Sequence, residues 1–351
     1  LLAASRINPS EEINSVYMRS APPSLHTARN GGSLTSSMGA SRSGNSPSLI
    51  LPICTKFDIL AKTPLFATTK LTLLFEMSEL TGISQRNPLT SIIFILLTTA
   101  LGFIVIGPLL GFFIAIPFYE GSIFDLTEKI SNPTLYPEIR LPLVIIQGSA
   151  TLIGLILIPL LYLFSMERIS PMDWVKSKTT SVLMLLVTGF IVLAFMAANS
   201  VFIEWNASFT FPEFLKDFGI WARERETLAE ELTRFFTTFE STGDFLLGAF
   251  VIALLPAIGE ELVFRGMLQP ELFRATGNHH AAIWISAIIF SAFHMQFFGF
   301  VPRMLLGALF GYLYVWSGNL LMPMFAHFIN NGFSVLMMYL YQKGTVPIDI
   351  D

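Results

Sequence analysis

The chain has 351 residues, 53% of them hydrophobic and only 13% charged, with a formal net charge of −4. Soluble domains carry about 25% charged residues, so this composition is that of a polytopic membrane protein, and the negative balance argues against a nucleic-acid partner. The single cysteine, Cys54, excludes an internal disulfide framework and a cysteine-built zinc site; no His–acid constellation surrounds it, so it is not expected to be a catalytic thiol.

Residues 1–76 are rich in Ser, Arg, Pro and Gly, poor in acids, and lack a sustained period. Such a stretch buries too little apolar surface to fold by itself. It is expected to be a disordered extension or to precede the true start at Met77, with a targeting peptide as the alternative. Residues 77–243 are expected to hold the N-terminal membrane helices and an amphipathic segment, 244–341 a catalytic membrane core, and 342–351 a short tail.

A helix needs about 20 apolar residues to cross the hydrocarbon core. Runs of that kind are predicted over 89–119, 141–166, 180–203, 244–275, 279–298, 302–317 and 319–341. The expected fold class is therefore all-α: a polytopic transmembrane helical bundle of about seven to eight helices. Between the third and fourth runs, Leu215, Phe218, Trp221, Leu228, Leu232, Phe235 and Phe239 recur at helical spacing among acids and arginines. That pattern predicts an amphipathic interfacial helix, which either packs over the bundle or gates it. Asn206-Ala207-Ser208 matches a glycosylation sequon, a weak signal alone. Arg86, Arg168, Lys176, Lys178 and Arg274 fall in loops on one side, read as cytoplasmic, against Arg140 and Arg303 on the other.

Three polar sets interrupt the last apolar runs: Glu260-Glu261 with Arg265, Phe290 with His294, and His327 with Asn331. An ionisable residue in a bilayer core is expensive and marks a functional site by default. Successive helical residues point about 100° apart, so Glu260 and Glu261 cannot share one role. Arg265 falls within about 40° of Glu261 at the favourable i,i+4 order. This leaves Glu260 as the general base and Glu261–Arg265 as its structural or substrate-orienting neighbour; a salt-bridge cluster that only fixes helix packing is the alternative.

Gly277-Asn278 reads as a helix stop followed by an N-cap, and it is equidistant in sequence from Glu260 and His294. In a helical hairpin turning there, both side chains reach one level, roughly 25 Å from the turn, where a carboxylate and an imidazole can deprotonate water together. His279 and His280 sit at the turn and are expected to be exposed. His327 and Asn331 share a face, carry no negative charge, and both donate hydrogen bonds, as an oxyanion hole requires; an interhelical hydrogen-bonded pair is the structural alternative. Pro256, four residues before Glu260, removes a backbone bond and is expected to bend its helix near the site.

These residues resemble the CAAX-protease and bacteriocin-processing family of intramembrane proteases, which includes the type II CAAX prenyl endopeptidases. The family pattern of Glu-Glu-x-x-x-Arg, Phe-x-x-x-His and His-x-x-x-Asn reads here as Glu260-Glu261-Leu262-Val263-Phe264-Arg265, Phe290 to His294, and His327 to Asn331. The resemblance covers about 244–341. It implies an endopeptidase in which Glu260 and His294 activate water, His327 and Asn331 stabilise the oxyanion, and Glu261, Arg265 and Phe290 support the site. The family it resembles is often labelled metalloprotease, yet no compact zinc motif such as His-Glu-x-x-His is present. A metal-free mechanism is therefore preferred, with zinc on Glu260, His294 and His327 as the alternative.

The expected partners are a lipid bilayer and a peptide or protein substrate: a CAAX-type, bacteriocin or signalling peptide. The expected location is a bacterial plasma membrane. A non-catalytic immunity or assembly protein that keeps the motif for packing is the competing class. A proton- or cation-coupled transporter stands further off, because no convincing internal repeat is present.

Overall fold

The computed structural model describes residues 86–167 and 180–346, with side chains to 165 in the first stretch. The extension over 1–76, Cys54, the basic loop carrying Arg168, Lys176 and Lys178, and the end of the tail lie outside the described residues.

Among the described residues the chain is all helix, in nine elements: α1 Pro88–Phe118, α2 Ile123–Ile130, α3 Pro137–Ser165, α4 Val182–Ala207, α5 Lys216–Phe236, α6 Thr242–Thr276, α7 His279–Ala292, α8 Phe300–Ser317 and α9 Leu321–Gln342. Five of them, α1, α3, α4, α6 and α8, are long and apolar enough to cross a membrane. The chain is an integral membrane protein built as a polytopic helical bundle.

Local chemistry sets the boundaries. Pro88 opens α1 behind the Asn87 cap, whose side chain accepts the Leu89 N–H. A capping box of Ser241 and Asp244 starts α6. Gly277 ends α6 in the left-handed conformation at φ 65°, and the Asn278 side chain then accepts the His280 and Ala281 N–H groups to start α7. This is the predicted hairpin. At its turn His279 is half-buried and stacked on Phe273, while His280 is exposed and bonded to the Tyr312 hydroxyl.

Burial separates centre from rim. In its most apolar window α4 is only 17% buried, whereas α6 is 50% buried. A helix that is apolar all round but little covered by protein has lipid as its remaining environment. The central helix is α6, which packs on α1, α3, α7, α8 and α9. Close approach of α1 and α3 requires glycine at one point: a Cβ on Gly154 would collide with the Phe103 backbone.

Two stretches of α6 widen into π-turns, Ala249–Leu254 and Leu262–Leu268, on either side of the tandem glutamates. Pro256 explains the first, because it offers no N–H to the Ile252 carbonyl. Such insertions recur at functional sites.

One boundary differs from the sequence reading. The predicted run 279–298 ends as a helix at Ala292. Beyond it the His294 N–H turns back to the Ser291 carbonyl, and Met295 takes a positive φ of 54°. His294 therefore stands in a turn just past the helix end. The loop that follows is held from several elements, which compensates for its irregular backbone.

Candidate active site

The tandem glutamates sit between the two widened stretches of α6 and face different surroundings. Glu261 is completely buried. Its Oε1 accepts from Arg265 Nη1 at 2.7 Å and from His327 Nδ1 at 2.7 Å. The ion pair expected from the i,i+4 spacing is thus formed, and α9 is tied into it. Arg265, equally buried, donates its second amine to the Gly307 carbonyl of α8 at 2.8 Å and lies between the rings of Phe290 and Phe310. A Cβ on Gly307 would come within 3.2 Å of that guanidinium, so a small residue keeps the carbonyl within reach. Four helices meet in this knot, which is the geometry in which buried charges are tolerated: paired, bonded and backed by aromatic faces.

Glu260 has no comparable partners. Its Oε2 is buried without a hydrogen bond, and the nearest cationic-capable atom is His327 Nε2 at 3.9 Å. The His327 ring therefore lies between both glutamates. A carboxylate only accepts, so the Nδ1 facing Glu261 carries a proton. Nε2, on the Glu260 side, is left to donate when the ring holds both protons. Phe310 stacks against this ring at 5.2 Å, fixing its plane.

His294 is positioned by the end of α7. Its Nδ1 bonds the Phe290 carbonyl at 2.9 Å, replacing the backbone N–H that the turn diverts. Nε2 is thereby freed for chemistry. No hydrogen bond joins His294 to Glu260 Oε2. His294 lines a cavity of about 390 Å³ whose other walls are mostly apolar, among them Leu232 and Phe236 of α5 and Val251, Ile252 and Pro256 of α6.

Asn331 sits one turn from His327 on α9. It donates to the Ile252 carbonyl at 3.3 Å and accepts from Asn330 at 3.1 Å. That carbonyl is the one Pro256 leaves without its helical donor, so Asn331 answers a gap in α6 with one of its two amide hydrogens.

Among the described residues, no group of three His, Cys, Asp or Glu side chains is arranged to hold a metal ion. Nδ1 of His327 is bonded to Glu261 and that of His294 to a backbone carbonyl, which leaves Nε2 of each ring outside these bonds.

Three features escaped the sequence reading. Asn206, part of the sequon, is buried, and its side chain bonds both the Phe297 carbonyl and the Val301 N–H, so it is a structural clasp. Glu226 of α5 accepts from Phe298 N–H and from Gln296, gripping the loop after His294. Arg303, counted only as a loop charge, is folded inward onto Gln296. The polar residues of α5 carried the second signal, but periodicity alone does not say what an acid on an amphipathic helix meets.

The fold and site together define a multi-pass membrane protein with an acid–imidazole centre inside its bundle. Residues 242–333, which hold every residue of this centre, match the model of the Rce1-like family, described as type II CAAX prenyl endopeptidase Rce1-like. The chain is similar to the membrane-embedded CAAX protease MroQ of Staphylococcus aureus, 35% identical over 97 residues, which is 26% of this chain and 39% of that protein. It is also similar to the uncharacterized protein YpbD of Bacillus subtilis, 37% identical over 82 residues, or 22% of this chain and 39% of the relative. The chain thus spans about two fifths of the length of these curated relatives. No solved structure matches it.

Proposed function

We propose that the chain is an intramembrane endopeptidase that hydrolyses a peptide bond with water activated by Glu260 and His294. The observation that carries this reading is the contrast at the tandem glutamates: Glu260 Oε2 is buried without a hydrogen bond, 3.9 Å from His327 Nε2, while Glu261 Oε1 is bonded to both Arg265 and His327. A desolvated carboxylate without partners is a competent proton acceptor, and His294, whose Nε2 is free, lines a cavity that also reaches Pro256, one helical turn before Glu260.

In this mechanism Glu260, with His294 orienting the water, takes a proton as the oxygen attacks the scissile carbonyl carbon. The carbonyl oxygen becomes an oxyanion and receives hydrogen bonds from His327 Nε2–H and the remaining amide hydrogen of Asn331. When the C–N bond breaks, the proton held by Glu260 passes to the leaving nitrogen. Glu261, Arg265 and Phe290 keep the donors in place.

The mechanism needs no metal. Metal analysis of the purified protein, with peptide cleavage measured after chelation, tests this; stoichiometric zinc required for turnover would replace the mechanism. The substrate is a CAAX-type, bacteriocin or signalling peptide, a class supported by the family match and the name of MroQ. The bacterial sources of both relatives support a bacterial plasma membrane as the location.

The primary experiment compares membrane peptides from cells carrying the parent chain, Glu260→Gln and His294→Ala. Peptides that accumulate uncut in both variants, at equal protein levels, identify the substrate. Full biological activity in folded Glu260→Gln protein would assign the motif to packing alone.

A further inference from the structure

Besides His294, the cavity of about 390 Å³ has two polar side chains in its wall, Thr233 of α5 and Gln147 of α3. The Thr233 hydroxyl is engaged by the Ala229 carbonyl at 2.7 Å. The Gln147 main-chain carbonyl takes the Thr151 hydroxyl, but among the described residues its side-chain amide makes no hydrogen bond. The residue is half-buried, and neither amide atom is sealed inside protein, so a ligand in the cavity can reach both.

Packing brings the amide here. Gln147 lies three residues after Val144 and four before Thr151, both buried, so it shares the face that α3 turns to the bundle. At the next residue, Gly148, a Cβ would make a tight contact of 3.2 Å with Val251 of α6, so the two helices meet closely beside it. From Pro137, Gln147 lies roughly 15 Å along the helix, a depth at which lipid offers an amide nothing to bond. Amides at that depth ordinarily tie one helix to another. This one instead opens into a cavity shared with His294.

The wall contains no Asp, Glu, Lys or Arg, so it does not select an ion. Leu232, Phe236 and Val251 make much of it apolar. A lipid chain would suit that surface but leave the amide unpaired, which is unfavourable in an apolar site. A peptide segment suits both: Gln147 presents N–H and C=O side by side, the complement of a peptide unit, and an apolar side chain covers the rest. We propose that Gln147 is a substrate-binding residue: its side-chain amide pairs with one peptide unit beside the scissile bond, and the apolar wall receives a neighbouring side chain. The inference rests on the endopeptidase reading for its substrate. It makes α5, through Leu232 and Phe236, the surface that judges side-chain size.

Binding is measured without cleavage, on Glu260→Gln protein in nanodiscs. The probe is a library of N-acetylated, C-amidated octapeptides with Ala, Val, Leu, Phe or Ser at each position, and retained members are read by mass spectrometry. The best retained peptide is then remade with an ester in place of each peptide link in turn, which removes one N–H at a time. One ester is expected to bind about tenfold more weakly, the scale of a buried hydrogen bond. Gln147→Met, which keeps the side-chain length, should weaken the all-amide peptide by a similar factor and show no further loss with that ester. A residue that only braced the helices would give no such coupling. Leu232→Ala widens the wall and should shift the retained library from leucine toward phenylalanine at one position. Additive losses for every ester, an unchanged library in Leu232→Ala, or no retained peptide, as for a lipid-filled cavity, overturns the proposal. A diazirine-bearing form of the retained peptide, on protein with Gln147 intact, guards against misfolded variants: adducts on Leu232, Phe236 or Val251 are expected, and adducts confined to other residues refute it. If binding depends on Gln147 but the unsubstituted chain never cuts a peptide, the binding role stands and the endopeptidase reading falls. If cleavage proceeds equally well in Gln147→Met, the binding role falls and the endopeptidase reading stands.

Discussion

The two faces of α6 at its tandem glutamates are built to opposite specifications. On the Glu261 face one carboxylate oxygen is closed into a knot with Arg265, His327 and the Gly307 carbonyl, although Glu261 Oε2 and Arg265 Nε stay buried without a bond. On the Glu260 face a carboxylate oxygen is buried and left without a hydrogen bond. Residues one position apart thus divide two tasks that conflict at any single residue. Holding four helices together demands that the buried charges be paired. Proton transfer demands a group whose bonding capacity is still unspent. His327 belongs to both faces, bonded by Nδ1 to the knot and directed by Nε2 toward Glu260. The architecture therefore couples the rigidity of one face to the placement of donors on the other.

The sharpest way to break this comparison is to exchange chemistry on each face in turn. Glu260→Gln keeps shape and removes the base; peptide cleavage is expected to fall on the order of 10²–10⁴-fold, with the unfolding transition in detergent unmoved. Arg265→Met acts on the other face. It strands Glu261 in the interior and should destabilise the protein by roughly 3–5 kcal/mol, read as a lower thermal midpoint. Equal loss of stability in both variants would mean that the two faces do not differ.

How much of this division was legible in the sequence depends on which face is considered. The Glu261–Arg265 pair followed from helical spacing alone, because i,i+4 neighbours meet whatever surrounds them. The Gly277-Asn278 turn was equally readable, since a left-handed glycine and an asparagine cap are local devices. The His327–Glu261 bond spans 66 positions and depends on how α9 packs against α6; no periodicity encodes it. Placing His294 inside a helix overran the true end because Phe293 and Met295 are apolar and continue the hydropathy run past Ala292. The roles of Gln147, Asn206 and Glu226 are tertiary in the same sense. Each is an ordinary polar residue until another element delivers a partner, or leaves it without one.

A smaller effect sharpens the comparison at the rim of the site. Glu226 lies on α5, outside the membrane-crossing helices, and burial pushes its carboxyl above the ordinary value of 4.5, against the pull of the Phe298 N–H. Arg303 and Arg223 pull it down and Glu230 pushes it up, each by a lesser amount. A raised value in the folded state means that folded protein holds this proton more tightly than unfolded chain. Its stabilising contribution is complete below 4.5 and is lost as pH rises through the higher folded value. Glu226→Gln stays neutral while keeping an acceptor for the loop. The thermal midpoint of the variant, relative to the parent, should therefore climb as pH is raised above 4.5; parallel curves for the two proteins would show that Glu226 does not titrate in the grip on the loop.

The finest distinction concerns Asn331, where a structural bond and the proposed catalytic donor share one amide. Pro256 deprives the Ile252 carbonyl of its helical N–H, and Asn331 supplies the replacement at 3.3 Å. Asn331→Leu should therefore cost about 1 kcal/mol of stability, the net worth of one such bond. In a Pro256→Ala background the restored N–H at position 256 can take that carbonyl, so the same substitution should cost much less. A double-mutant cycle reads the difference directly as a coupling energy. Turnover should behave otherwise. If the second amide hydrogen serves the oxyanion, Asn331→Leu lowers peptide cleavage by the same factor in both backgrounds, because repairing α6 does nothing for the donor. A cleavage defect that disappears with Pro256→Ala would reduce Asn331 to a patch on a broken helix, leaving His327 to hold the oxyanion alone.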